Sequence, residues 1–147
     1  ASGDEDPNDT VWGRFDTLYG ARRFEYGPTG IYGLLARTNI RSPGARLELR
    51  SGRLFEAMLA WRAAWLEAAA DTWTTAGLRV SGREDPYIGQ QVEMRIRWRP
   101  FLGNLAFDAG FAHAALADVE GETPEGAASN RPLEDPTYVY AQVTVGI

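Results

Sequence analysis

Hydrophobic and charged residues alternate most strictly in the stretch QVEMRIRWR, residues 91–99. Apolar side chains occupy every second position from Val92 to Trp98, and polar or charged side chains lie between them. Since successive side chains of a β-strand point to opposite faces, this pattern predicts a strand with one apolar and one ionic face. In a soluble protein the apolar face would cover a core. In a membrane barrel it would meet lipid, and the ionic face would line the lumen.

The same alternation predicts further strands along the chain. It recurs in ARLELR (residues 45–50), in LAFDAGFAH (residues 105–113) and in YVYAQVTVGI (residues 138–147). The stretch LFEAMLAWRAAWLEAAA, residues 54–70, fits either a strand or, because it is rich in alanine, an amphipathic helix. A strand and a tight turn signal at Ser51, Gly52 and Arg53 precede it, which favours a hairpin and therefore a strand.

The connections between these five predicted strands alternate in length. Short turns are predicted at residues 51–53 and 100–104, and long polar loops at residues 71–86 and 117–136. Residues 1–44 are rich in Gly, Pro, Asp and Asn and predict a long loop, in which residues 31–40 form a short strand or a helical turn. Outer-membrane barrels have this asymmetry of short turns and long loops. The predicted fold is all-β, an antiparallel up-and-down transmembrane barrel, with residues 1–147 as one wall section and the strands within residues 45–147.

The predicted strands have the length and the aromatic placement of membrane strands. A strand from Phe55 to Trp65 would measure roughly 33 Å at about 3.3 Å per residue. Tilted by about 40°, it would rise roughly 25 Å, the height of an outer-membrane apolar band with aromatic girdles at both ends. The residues predicted to face lipid or to form the girdles are Phe55, Trp61, Trp65, Val92, Met94, Ile96, Trp98, Phe107 and Phe111.

The opposite faces of these strands carry the charges that would line a pore. They are six arginines and four carboxylates: Arg46, Glu48, Arg50, Glu56, Arg62, Glu93, Arg95, Arg97, Arg99 and Asp108. Rings of arginine favour anions at close quarters, so the positive excess predicts a preference for anions. Alternatively, these charges pair across neighbouring strands and only fill the wall, at roughly 0.2–1 kcal/mol per pair.

Composition changes this interpretation little but removes several others. All 15 basic residues are arginine and the formal net charge is −5, which gives no reason to expect nucleic-acid binding. There is no cysteine, and no run of about 18 apolar residues that would predict a transmembrane helix. The opening ASGDEDPNDT lacks the basic and apolar regions of a signal peptide. We therefore expect that a signal was removed or that the segment starts inside a longer protein.

No catalytic residue, metal site or cofactor is predicted. His113 is the only histidine, so no pair of histidines can form, and we interpret it as an interfacial residue near a strand end. The acidic residues of positions 4–9 lack the glycine and the bidentate glutamate of an EF-hand, and they fit a solvated loop, as do those of positions 120–135. The protein is not expected to be an enzyme.

Five segments carry a family resemblance, in this order: ASGDEDPND, FDTLYGARRFEYG, YIGQQVEMRIRW, GNLAFDAGFAHAAL and YVYAQVTVGI. Together they span nearly the whole chain, which resembles the C-terminal part of the alginate export family of outer-membrane β-barrel porins. The resemblance implies the C-terminal strands of a larger barrel, and passive passage of a polyanionic polysaccharide through an arginine-rich lumen.

We therefore predict a channel of the bacterial outer membrane for passive passage of anionic or polysaccharide-type solutes. The predicted partners are the lipid bilayer, the anionic solute and further strands, from the same barrel or from another chain. Further strands are needed because five are fewer than the eight of the smallest usual barrels. Two alternatives remain open: a soluble β-barrel or sandwich that binds an apolar ligand, and a structural outer-membrane barrel that transports nothing.

Overall fold

The computed structural model describes residues 10, 13, 35, 38–69, 71, 73–75, 78–80, 85–101, 104–117, 120–122, 128–132 and 134–146. These ranges form nine β-strands: β1 Gly44–Ser51, β2 Phe55–Trp65, β3 Trp73–Thr75, β4 Leu78–Val80, β5 Tyr87–Phe101, β6 Leu105–Leu116, β7 Glu120–Glu122, β8 Ala128–Pro132 and β9 Thr137–Val145. Among the described residues, no helix is long and apolar enough to cross a membrane. The loop predicted for residues 1–44, with its element at 31–40 and the acidic positions 4–9, lies almost wholly outside the described residues.

The five long strands form one antiparallel sheet in the order β1-β2-β5-β6-β9. This confirms the predicted all-β, up-and-down arrangement, and the ambiguous stretch of residues 54–70 contains a strand over Phe55–Trp65. Within the described ranges β1 and β9 are the two edges, and the sheet does not close into a barrel.

Two tight connections align the long strands at one end of the sheet. Gly52 lies in the turn between β1 and β2 with a φ of 58°, a left-handed conformation that glycine adopts without a steric penalty. At the same end of the sheet, β5 and β6 pair from Gly89 opposite Leu116 to Phe101 opposite Leu105, with a shift between Trp98 and Phe101. The short turns therefore lie together at one end, and the long connections leave from the other.

The two long connections form a second sheet of their own. Sequence predicted plain loops at residues 71–86 and 117–136, whereas the structure places the hairpins β3–β4 and β7–β8 in them. The hairpins pair through Arg79 opposite Glu122 and give the order β3-β4-β7-β8. This order is the same as that of the long strands β2-β5-β6-β9, when each short strand is matched with the long strand next to it in the chain. Strands of three residues carry too few positions to show an alternation, which explains why sequence did not predict them.

A small apolar cluster lies at the end of the sheet from which the long connections leave. Asn39, with a φ of 47°, ties this end to the chain that leads into β1. Its Nδ2 donates to the Ala68 carbonyl at 3.1 Å, and the Ala68 N–H donates to its Oδ1 at 2.8 Å. The cluster consists of Ile40, Ala64, Leu66 and Ile88. Because Ala64 shares a face with the charged residues of β2, this end of that face is apolar.

Candidate pore-lining face

The five-stranded sheet has two chemically different faces. We call the face that carries Glu56, Arg97 and Asp108 the inner face, and the face that carries Leu59 and Met94 the outer face. In the central strands, polar residues of the inner face such as Glu93 and Asp108 are buried, with Asp108 only 7% exposed, whereas Leu59 on the outer face is 50% exposed. Side chains that lie close together on the charged face and further apart on the apolar face indicate a sheet that curves toward its charged side.

One rung of the inner face crosses all five strands with alternating charge. It consists of Arg50, Glu56, Arg97, Asp108 and Gln142, each directly opposite the next. The Arg97 Nε donates to Asp108 Oδ2 at 2.7 Å, and its Nη2 pairs with the same oxygen. Arg99, further along the same strand, donates from Nη1 to Glu56 Oε1 at 2.8 Å. Opposite charges on neighbouring strands therefore offset one another along this rung.

Asp108 joins three strands through its two oxygens. While Oδ2 accepts from Arg97 on β5, Oδ1 accepts a hydrogen bond from the Tyr140 hydroxyl on β9 at 3.0 Å. The Asp108 side chain is 9% exposed and the Arg97 side chain 35%. A carboxylate that is nearly buried needs such partners, because an unpaired one would lose its hydration without compensation.

The edge strand β1 carries a looser group of charges. Glu48 Oε1 lies 3.2 Å from Arg46 Nε, and Glu48 Oε2 lies 3.0 Å from Arg50 Nη2. Both arginines are well exposed to solvent. Exposed pairs of this kind contribute little, typically about 0–1 kcal/mol.

Arg95 differs from Arg97 and Arg99, the other two arginines on the inner face of β5. It lies opposite Met58 on β2 and Gly110 on β6, so the rung offers it no directly facing carboxylate. In the described part of the chain, no carboxylate comes within ion-pair distance of Arg95. Glu48 and Glu56 line the same open depression as Arg95, but each is held by other arginines. The sequence analysis gave Arg95 and Arg97 the same role. The register places a carboxylate, Asp108, opposite Arg97 but a glycine, Gly110, opposite Arg95.

The remaining predicted pore-lining residues lie on the inner face as well. Glu93 is 6% exposed, lies opposite Ala60 and Ala112, and accepts a hydrogen bond from Gln91 Nε2 at 3.2 Å. Arg62 lies opposite Gln91. All ten residues predicted to line a pore are therefore on one face, and their contact with a solute stays a prediction.

The outer face is apolar along its whole central part. One rung runs across all five strands and consists of Leu47, Leu59, Met94, Phe111 and Val139. Its neighbours toward the short turns include Ile96 and, one rung further, Trp98. Among the described strand residues and the bridge that precedes β1, the only arginine or carboxylate on this face is Arg41, which pairs with Trp65 at the end of β2. Such a surface is costly in water and suited to lipid.

Aromatic side chains lie at both ends of this outer face. Near the short turns, Trp98 and Phe107 stack with ring centroids 5.6 Å apart. Near the long connections, Trp65 and Tyr87 pack with centroids 5.3 Å apart, and the Trp61 Nε1 donates to a glutamine on β5 at 3.1 Å. The nine residues predicted to face lipid all lie on the outer face; that they contact lipid stays a prediction.

Two tyrosines of β9 were given no pore role by the sequence analysis, which interpreted His113 as an interfacial residue. Tyr138 and Tyr140 lie on the inner face of β9, opposite Ala112 and Gly110. Their alternation with Val139 carried this information, but strand β9 has no charge to mark its inner side. His113 lies exposed on the outer face near a strand end, with its Nδ1 2.9 Å from the Thr137 hydroxyl. The described ranges hold no group of three or more side chains that could bind a metal ion.

An antiparallel sheet with an apolar outer face, aromatic ends and a charged inner face has the construction of an outer-membrane β-barrel wall. The family comparison agrees with this class. The sequence model described as Alginate export matches residues 1–123, and the chain belongs to the alginate export family. This confirms the resemblance found in the sequence, although β9 lies beyond the matched residues. It is an outer-membrane transport family of β-barrels rather than an enzyme family. Comparison with the curated proteins and with the solved structures gave no match.

Proposed function

We propose that this chain is a wall section of a β-barrel in the bacterial outer membrane, through which anionic solutes pass passively. The observation that carries the proposal is the separation of the two faces. Apolar residues project from one side of every long strand, and all ten predicted pore charges lie on the other side. Together with membership of an export family, this separation favours a lipid-embedded channel wall.

The outer face supports the membrane part of the proposal. A soluble barrel would bury the rung of Leu47, Leu59 and Met94 in its interior, yet these side chains are on the more exposed face. The residues next to them on the outer face are apolar as well, so lipid is the environment that removes most of this surface from water. Further strands would pair with β1 and β9, since backbone groups of an open edge cannot be left unpaired in lipid.

The inner face supports the anion part of the proposal. Arg97 and Arg99 are engaged by carboxylates, which makes them part of the wall. Arg95 has a guanidinium without a paired carboxylate in the described residues and points to the same side. Guanidinium groups bind carboxylates and phosphates in a bidentate fashion, and a pore lined by such groups favours anions.

The test measures ion selectivity of the intact protein in a planar bilayer, with wild type, Arg95→Gln and Arg41→Gln compared. Both variants remove one positive charge, but Arg41 is on the outer face and serves as the matched control. One charge about 8 Å from a permeating ion is worth about 0.5 kcal/mol in a water-like dielectric, on the order of twofold in anion preference. We expect Arg95→Gln to lose about this much at 0.1 M salt and little near 1 M, where the Debye length is about 3 Å.

Three results would contradict the proposal, each in a different part. Equal selectivity of wild type and Arg95→Gln would remove the role of this arginine in anion passage. Absence of conductance in a correctly folded, membrane-inserted protein would favour a structural barrel. Solubility of the intact folded protein without detergent would favour a soluble barrel with an apolar ligand.

A further inference from the structure

We propose that Arg41, Trp65 and Tyr87 form a binding site for the phosphate group of a membrane lipid, at the end of the outer face from which the long connections leave. The inference rests on the proposed function, because it assumes that the outer face meets lipid. It adds to that function a contact with one chemical group of the lipid. The observations that carry it are the place of these side chains on the sheet and their hydrogen-bond donors.

The three side chains lie in one rung on the outer face. Arg41 is opposite Trp65, and Trp65 is opposite Tyr87 on β5. The Arg41 N–H donates to the Trp65 carbonyl at 2.9 Å, and the Trp65 N–H donates to the Arg41 carbonyl at 2.9 Å. This pair of bonds fixes the backbone from which the arginine side chain projects. The rings of Trp65 and Tyr87 pack with centroids 5.3 Å apart.

Each of these side chains carries hydrogen-bond donors that no described residue accepts. A guanidinium has five N–H donors, an indole has one, and a phenol has one O–H. Within the described part of the chain, no carboxylate comes within ion-pair distance of Arg41, and neither the Trp65 indole nor the Tyr87 hydroxyl makes a hydrogen bond. Arg41 is exposed and the two rings are half-buried. A phosphate offers acceptor oxygens only, so it complements this rung.

The rung also lies at the level where lipid phosphates are expected. The strand from Phe55 to Trp65 rises roughly 25 Å when it is tilted by about 40°, which is the height of the apolar band of an outer-membrane barrel. Arg41 and Trp65 are therefore at the boundary between hydrocarbon and headgroups. An arginine is costly at the bilayer midplane and much less so at this boundary, where tryptophan and tyrosine are enriched.

The apolar surface next to the rung favours a lipid over a free phosphate. On the same face of β2, Trp61 and Leu59 lie toward the middle of the strand, and they are 45% and 50% exposed. The acyl chains of a lipid cover such a surface while its phosphate stays at the rung. A free phosphate gains only the contact with the donors, and an exposed ion pair by itself contributes little.

Two carboxylates lie beyond the rung, toward the long connections. Asp85 Oδ1 accepts a hydrogen bond from the Tyr87 N–H at 2.8 Å, and the Glu67 N–H donates to the Asn39 carbonyl at 3.4 Å. Both residues are exposed. Water and salt therefore screen their repulsion of a phosphate at the rung.

The experiment measures lipid binding to the intact protein in detergent by native mass spectrometry, with an apparent Kd from titration. The probes are dioleoyl phosphatidic acid, dioleoylglycerol, which has the same chains without the phosphate, and inorganic phosphate. The proteins are wild type, Arg41→Gln, Tyr87→Phe and Arg95→Gln, the last as a matched loss of an arginine on the inner face. Arg41→Gln leaves both backbone hydrogen bonds to Trp65 in place. Tryptophan emission and resistance of the folded form to SDS at room temperature verify that each variant has folded.

We expect Arg41→Gln to raise the Kd for phosphatidic acid about three- to tenfold, since it loses a charge-assisted contact. Tyr87→Phe, which loses a neutral donor, should raise it about twofold, and Arg95→Gln should leave it unchanged. Dioleoylglycerol should bind wild type at least about tenfold more weakly than phosphatidic acid does, and equally in all four proteins. Inorganic phosphate should also bind at least about tenfold more weakly than phosphatidic acid.

The inference is overturned if folded Arg41→Gln binds phosphatidic acid as wild type does, or if dioleoylglycerol binds wild type as tightly. Inorganic phosphate that binds as tightly as phosphatidic acid would indicate an anion site that needs no lipid, and would overturn it too. These outcomes are separate from those for the channel. Anion-selective conductance together with lipid binding that ignores Arg41 would reject the site and keep the channel. Arg41-dependent lipid binding without conductance would keep the site and reject passive passage.

Discussion

The Arg97–Asp108 pair offers the sharpest test of how the inner face is built. The substitution Asp108→Asn keeps the shape of the side chain and removes its charge. Arg97 then loses the carboxylate that its Nε and Nη2 contact, and the Tyr140 hydroxyl faces an amide in place of a carboxylate. Asp108 is nearly buried while Arg97 is about one third exposed, so only part of the lost attraction can be replaced by water.

The magnitude follows from these exposures. Two unit charges about 4 Å apart attract by about 4 kcal/mol at the effective dielectric of a protein surface. The exposed part of Arg97 regains hydration in the variant, and the wild-type pair is itself partly screened. We therefore expect the free energy of unfolding to fall by about 1–3 kcal/mol, the range for hydrogen bonds to charged groups. Since Arg97 also becomes an uncompensated cation, the anion preference of the proposed channel should increase.

Stability is measured by urea unfolding of the intact protein in phospholipid vesicles, followed through tryptophan emission. The control is Glu48→Gln, which removes a carboxylate of the same face that pairs only with exposed arginines. It should change the free energy of unfolding by no more than about 1 kcal/mol. The double variant Arg97→Gln with Asp108→Asn should lose less than the sum of the two single changes, because neither group is left without its partner.

Two results would refute this reasoning. One is an Asp108→Asn variant as stable as Glu48→Gln, which would mean that the pair contributes no more than a surface contact. The other is strict additivity in the double variant, which would mean that Arg97 and Asp108 act independently in spite of their contact.

Three further predictions concern other parts of the sheet. Leu59→Arg places a charge on the outer face and should destabilise the inserted protein by about 2–4 kcal/mol in vesicle unfolding, and equal stability with a Leu59→Met control would contradict a lipid-facing position. Gly110→Ala introduces a Cβ that would clash with the Met94 carbonyl, so unfolding in vesicles should show a loss of about 1–3 kcal/mol, and an unchanged midpoint would refute this tight approach. Asn39→Ala removes both hydrogen bonds to Ala68 and should speed amide hydrogen exchange at Ala68 while leaving the β5 amides unchanged. If the variant changes the exchange rate at Ala68 no more than the rates of the β5 amides, the anchoring role is contradicted.

The faces of the sheet could be predicted from sequence because the period of a strand is two. Once a strand is assumed, every second residue belongs to the same side, so the positions of Glu93 and Met94 follow without knowledge of the neighbouring strands. The choice between strand and helix for residues 54–70 needed more than period, and the turn at Gly52 gave the correct answer. Both inferences depend on local information only.

Pairing across strands was less accessible, because it depends on register. Arg97 meets Asp108 and Arg95 meets Gly110 as a result of the turn between β5 and β6 and of the register shift near Trp98. A displacement of two residues would keep every face and would place Arg95, in place of Arg97, opposite Asp108. Sequence therefore predicted a charged inner face but not which of its arginines is available. The hydrogen bond from Tyr140 to Asp108 escaped notice for a related reason, since it depends on the register between β6 and β9.

The two exposed edges of the five-stranded sheet have a consequence for the order of events when the protein is made. Strands β1 and β9, of eight and nine residues, each present one backbone edge with no partner in the described ranges. In water these groups are hydrated at no cost, but in hydrocarbon each unpaired one costs several kcal/mol. A half-finished sheet therefore has no stable place in the bilayer, in spite of its apolar outer face. In the proposed outer-membrane barrel, edge pairing therefore has to come before membrane insertion or together with it, and until then the nascent wall must be shielded from both lipid and other copies of itself.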